Sequence, residues 1–151
     1  MPSGSTVFVD TNVLLYAQDP REPHKREACS LWLARCWREK RGRISTQVLN
    51  EFYVNVRRVA PAFDVRAARD LVRQYRAWSP WTVDDTTVDL AWLVQDRVGY
   101  SYWDSLMVAA AQQQGCAYLL TEDLEHGQQV DGVRILNPFK VGPDVLDGAT
   151  A

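Results

Sequence analysis

The sequence predicts an α/β fold, a three-layer α/β/α sandwich with a mostly parallel central sheet. Two observations carry this reading. Short apolar runs of strand length alternate with longer segments of helical period along the chain, and that alternation buries a parallel sheet between helices joined by right-handed crossovers. The 151 residues suffice for one sizeable core and not for two, and no repeat, low-complexity tract or linker divides them. Residues 1–139 are read as a single domain and 140–151 as a loose tail.

"TVFVD" (6–10) reads as a short buried strand, and "TNVLLYAQ" starts a helix directly after it, with Asp10 at the junction. "PHKREACSLWLARCWREKRG" places Cys29, Trp32, Leu33 and Cys36 at helical spacing, with Gly42 as the expected stop. "RIST" reads as a second strand. It runs without a breaker into the helix "QVLNEFYVNVRRV", where Val48, Phe52 and Val56 share one side and Glu51 lies about one turn inside. Pro61 ends that helix and "DVRAARDLVRQYRAW" forms another. "PWTV" is an expected strand, "DDTTVDLAWLVQDRVG" a helix closed by Gly99, and "SYWDSLMVAAAQQQG" a buried helix opening at Ser101. "AYLLT" is a strand, "EDLEHGQQVDG" a loop, and "VRIL" the last strand.

Composition narrows the function. Apolar residues make up 46% and charged residues 24%, ordinary for a soluble globular protein, and no apolar run approaches a membrane span. "MPSGST" lacks the basic start and apolar centre of a signal peptide, so a cytoplasmic location is expected. A net charge of −2 leaves any nucleic-acid contact to a local patch. Cys29, Cys36 and Cys116 lack metal-type spacing and read as buried thiols. The phosphate-binding patterns GxxxxGK[ST] and GxGxxG and the nucleophile elbow GxSxG are absent. "VDTN" has no second aspartate two residues on, as an aspartyl-phosphate enzyme needs.

In a parallel sheet, ligands bind beyond the carboxyl ends of the strands. Asp10 ends the first strand, Glu51 lies just past the second, and Asp123 follows "AYLL". Asp104 stands at a helix start that could face the same edge. Each also has a bland reading: Asp10 as a helix cap, Glu51 as a solvated helix residue, Asp104 as the partner of Ser101 in a capping box, Asp123 as a turn former. Four carboxylates in one crevice, each pair about 5 Å apart, repel by roughly 3 kcal/mol per pair. Such a cluster must protonate or hold a cation. Oxygen ligands without nitrogen or sulfur suit Mg²⁺ or Mn²⁺. With only His24 and His126 present, a histidine-rich site is excluded, and His126 reads first as a loop histidine. A metal-activated water attacking a phosphodiester is the chemistry left standing. Arg66, Arg69, Arg73 and Arg76 lie along one helix face and could hold an RNA backbone, or form a solvated face with Asp70 beside it. Arg57, Arg58 and the basic run 38–43 are weaker candidates of the same kind.

"VFVDTNVLLYA", "STQVLNEFY", "YSYWDSLMVAAAQQQGCAYLLTEDLEHG" and "VRILNPF", in this order and spacing, resemble the PIN-domain ribonucleases, in particular the VapC-type toxins of bacterial toxin–antitoxin pairs. The resemblance spans residues 6–139. It implies a Mg²⁺- or Mn²⁺-dependent endoribonuclease, usually a homodimer, held inactive by a cognate antitoxin. Asp10, Glu51, Asp104 and Asp123 match the family's acidic set, with Asn12 and Thr121 as small polar helpers and Glu122 as a rival to Asp123. Leu31, Trp32 and Trp37 are candidate partner contacts, with completion of the core as the competing reading. A catalytically silent RNA- or protein-binding module, or a nuclease acting on DNA, are the alternatives.

Overall fold

A computed structural model describes residues 4–148. Five strands, β1 (Val7–Val9), β2 (Gly42–Arg43), β3 (Tyr118–Leu120), β4 (Gln129–Val130) and β5 (Val133–Leu136), form one sheet in the order β2-β1-β3-β5-β4. All neighbours are parallel except β4 with β5. Six helices cover it: α1 (Thr11–Tyr16), α2 (Pro23–Glu39), α3 (Thr46–Val59), α4 (Val65–Tyr75), α5 (Asp85–Val98) and α6 (Tyr102–Gln113). The α/β/α sandwich read from the sequence is the fold. Helix α1 packs on α2 and α3, α4 packs on α3, and α5 pairs with α6, which also touches β3 and β5. Val7, Phe8, Val9, Leu120, Ile135 and Leu136 are wholly enclosed, as a sheet covered on both faces requires. No helix among the described residues is long and apolar enough to cross a membrane.

The ladder continues one residue past the strands. The Asp10 N–H donates to the Leu120 carbonyl (3.0 Å) and the Thr121 N–H to the Leu136 carbonyl (2.9 Å). Asp10 and Thr121 are thereby held side by side at the carboxyl edge before any side chain acts.

Several expectations are corrected. Helix α2 ends at Lys40, which takes the left-handed conformation (φ 57°), and not at Gly42. Gly42 instead lies in β2 against the Trp78 indole, where an added Cβ would come within 2.5 Å of the ring. That ring is packed in turn against Trp37, tilted, and Tyr75, edge-on, with centroids 4.9 and 5.1 Å away, and has little room to retreat. Gly42→Ala is expected to destabilise the fold by about 1–3 kcal/mol, the cost of overpacking; an unchanged urea midpoint would contradict this packing.

"PWTV" is no strand. Trp81 makes a single bridge to Ser45, and Pro80 has no N–H for a ladder. "RIST" is a strand only at its start, because Ser45 already caps α3, accepting the Val48 N–H. The expected loop "EDLEHGQQVDG" contains β4, closed onto β5 by Asp131-Gly132 with positive φ at both residues (50° and 89°), the pattern of a two-residue hairpin turn. Residues of the segment 140–148 make contacts with the domain. Val145 is buried, Trp32 Nε1 donates to the Val141 carbonyl (3.0 Å), and Arg35 forks onto Asp147. Residues 149–151 lie outside the described part.

Candidate active site

The carboxyl edge of β1 and β3 gathers the acids. Asp10 occupies the position before α1, yet its carboxylate caps nothing. It accepts the Thr121 hydroxyl (2.7 Å) and a longer bond from Asn12 Nδ2 (3.3 Å). The same Asn12 amide donates to Asp123 (2.9 Å), and Thr121 Oγ accepts the Asp123 N–H (3.0 Å). Two small side chains thus tie Asp10 to Asp123 twice. Glu51, one turn and a half into α3, accepts from the Thr11 hydroxyl (2.6 Å) and from Gln47 Nε2 (3.1 Å). At α6 the serine half of the capping box forms, Ser101 Oγ accepting the Asp104 N–H (3.1 Å). The Ser101 cap fixes the start of α6 and with it the position of Asp104.

Electrostatics shows that the acids sense one another. Asp10 is 5% exposed, and burial, reinforced by the charges of Asp123 and Asp104 and opposed by the Thr121 hydroxyl, pushes its pKa from 3.8 up to about 7. Burial, together with Asp123 and Glu51, also raises Asp104. Among the described residues, no three acidic, histidine or cysteine side chains are drawn together closely enough to grasp one ion. The hydrogen-bond donors Thr11, Asn12, Gln47 and Thr121 partly offset the crowded negative charge. The donor set still suits a hard cation: it is all oxygen, it strains against its own charge, and Asn12 Oδ1 is buried beside it with no partner.

A family model, PIN domain, matches residues 7–130. The chain belongs to the PIN-domain family. Solved structures share the fold of this PIN domain at low identity. A toxin–antitoxin complex from Klebsiella pneumoniae is 18% identical over 89% of this chain and 98% of its own, with a TM-score of 0.54. The sarcin-ricin loop cleaving toxin VapC20 of Mycobacterium tuberculosis is 22% identical over 76% and 87%, at 0.51. VapBC2 from Rickettsia felis, bound to a DNA fragment from its promoter, is 12% identical over 87% and 98%, at 0.57. No curated protein matches the sequence.

The other candidates of this PIN domain separate cleanly. Glu122 points away from Asp123, accepting the Tyr16 hydroxyl and pairing with Lys25 (3.2 Å), so Asp123 is the acid placed beside Asp10. His126 is structural, its Nδ1 accepting the Asn137 N–H (3.0 Å). Trp32 is fully buried and belongs to the core, which removes it from the partner candidates, whereas Leu31 (58% exposed) and Trp37 (38%) remain at the surface. The three cysteines are buried, and burial pushes the thiols of Cys29 and Cys36 up to about 12, too high for reactivity. Arg66, Arg69, Arg73 and Arg76 are exposed on α4 and its 3-10 extension. Arg69 Nε donates to the Tyr53 hydroxyl (3.1 Å), and Arg73 pairs with Asp70 (2.8 Å), as a solvated face would. Sequence reasoning does not single out Thr11 and Gln47. Their signal is weak: the residue after a site aspartate, and one helical turn before Glu51.

Proposed function

We propose that this PIN domain is a divalent-metal-dependent endoribonuclease, acting in the cytoplasm as the toxin of a type II toxin–antitoxin pair. The observation that carries the reading is the buried Asp10, charge-coupled to Asp123 and Asp104 and tied to Asp123 through Asn12 and Thr121. Asp10, Glu51, Asp104 and Asp123 would hold Mg²⁺ or Mn²⁺, which when bound supplies positive charge against the phosphate and acidifies a water. The chain's own work is orientation. Thr121 and Asn12 aim Asp10 and Asp123, Thr11 and Gln47 aim Glu51, and the Ser101 cap sets the start of α6 under Asp104. Toxin–antitoxin complexes among the structures of like fold support an antitoxin partner. Leu31 and Trp37 are the apolar side chains we assign to protein contacts, including a homodimer.

Arg69, Arg73 and Arg76 line a cavity of about 410 Å³ between α3 and α4, suited to an RNA backbone. Arg73→Ala should lower the slope of log affinity for single-stranded RNA against log salt by about 0.7, one phosphate contact; an unchanged slope would return Arg73 to the solvated face. The nuclease reading is tested by incubating purified, antitoxin-free protein with mixed tRNA and rRNA fragments plus Mg²⁺, Mn²⁺ or EDTA. Discrete cuts that need the metal are the expected result. Absence of cuts by folded, metal-bound protein would favour a binding module instead.

A further inference from the structure

Helix α6 opens with a feature that the acid site leaves unused. Trp103, adjacent to Asp104, is 61% exposed, the most exposed aromatic ring among the described residues. Burying such a ring in water-free contact is favourable, so a bare indole beside a polar crevice needs a reason. It is not loose. Gln47 Nε2 donates to the Trp103 carbonyl (3.3 Å) and to Glu51 (3.1 Å), so one amide sets the tryptophan's backbone in register with a site acid. The Tyr102 ring meets the indole edge-on, with centroids 5.2 Å apart. Trp103, Val83, Leu106 and Glu51 line a cavity of about 460 Å³. Thr46 and Asn50 on α3 line both this cavity and the arginine-lined one, so the two adjoin across α3.

Together the two cavities offer an apolar, aromatic-walled recess at the acid end and guanidinium groups at the other. That pairing of stacking surface with phosphate partners is what an unpaired nucleic-acid strand recognises, whereas a duplex keeps its base faces covered. We infer that Trp103 is a base-stacking subsite: it receives one unpaired base next to the acid cluster while the strand's backbone runs across Asn50 to Arg69 and Arg73. This rests on the nuclease reading and assigns to one residue, Trp103, the holding of a base beside the acids. Gln47 is then a positioning residue that couples the stacked base to Glu51.

The test measures binding by fluorescence anisotropy in the cleavage-silent Asp10→Asn background, with a labelled mixed-sequence single-stranded RNA and the same RNA annealed to its complement. Trp103→Ala should weaken single-strand binding by about 5- to 150-fold, the range for loss of one stacked base. It should leave duplex binding and the salt slope unchanged. Trp103→Phe should recover most of the loss, which a merely structural role would not explain in variants of equal urea midpoint. Equal affinity of the Trp103→Ala variant and its parent would overturn the subsite alone. Failure of the parent to bind RNA at all would overturn the nuclease reading and the subsite with it. A Trp103→Ala protein that keeps RNA affinity but loses self-association on sizing would assign the indole to a protein interface and refute the inference.

Discussion

Asp10→Asn is expected to lower cleavage by about 10³-fold, as loss of other single charge-handling groups does, and to make the metal-free protein more stable at neutral pH. The second effect follows from the direction in which folding moves the pKa. An aspartate raised from 3.8 to about 7 on folding binds its proton more tightly in the folded state. Its contribution to stability is fully present below about pH 4 and is lost as pH rises through 7. A rise of that size bounds the cost of the charged form at about 4 kcal/mol, and relaxation of the site lowers it to roughly 2. Asparagine keeps an oxygen to accept from Thr121 and carries no charge. Urea unfolding in EDTA should therefore show the variant and the wild type nearly equal at pH 4, with the variant ahead at pH 8. A variant less stable than the wild type at pH 8 would mean that Asp10 is not strained by its neighbours.

Thr121→Val is the second large effect. Valine matches the shape of threonine, and Thr121 is fully buried, so the change isolates the hydroxyl. Two bonds vanish together: the donor to Asp10 and the acceptor for the Asp123 N–H. Leaving buried partners unpaired costs about 1–3 kcal/mol, and loss of an orienting neighbour typically costs a metal site 10- to 100-fold in affinity or activity, about 1.4–2.7 kcal/mol. The hydroxyl also holds the Asp10 pKa down against burial. Its removal should shift the acid limb of the pH–rate profile to higher pH. Serine at this position should restore the limb; an unmoved limb in the valine variant would show that Thr121 only fills space.

How far residues announce their roles differs along the chain for physical reasons. Asp10, Glu51 and Asp123 fall where a parallel sheet puts its ligand crevice, and the topology alone makes them candidates. Asp104 needs the family pattern, since Ser101 and Asp104 also match an ordinary cap. Glu122 is engaged by Tyr16 and Lys25, side chains more than ninety residues away in sequence, and Asp123 is not. No local pattern reports such a contact. The hairpin of β4 and β5 is announced by Asp131-Gly132, but the strands beside that turn are too short to show alternation. The contacts of the C-terminal segment are not announced either. "KVGPDVLDG" has the glycine and proline of a loop, and only the tertiary groove beside α2 gives Val141, Val145 and Leu146 something to cover.

The claim beneath the whole account is that Asp10, Glu51, Asp104 and Asp123 form one cation site. Calorimetric titration of Mn²⁺ into antitoxin-free protein at pH 6 and pH 8 tests it directly. The account predicts binding that strengthens by up to about tenfold per pH unit below 7, as Asp10 must release its proton first, and that falls away in Asp10→Asn and Asp104→Asn. Weak binding that is independent of pH and indifferent to both substitutions would contradict it.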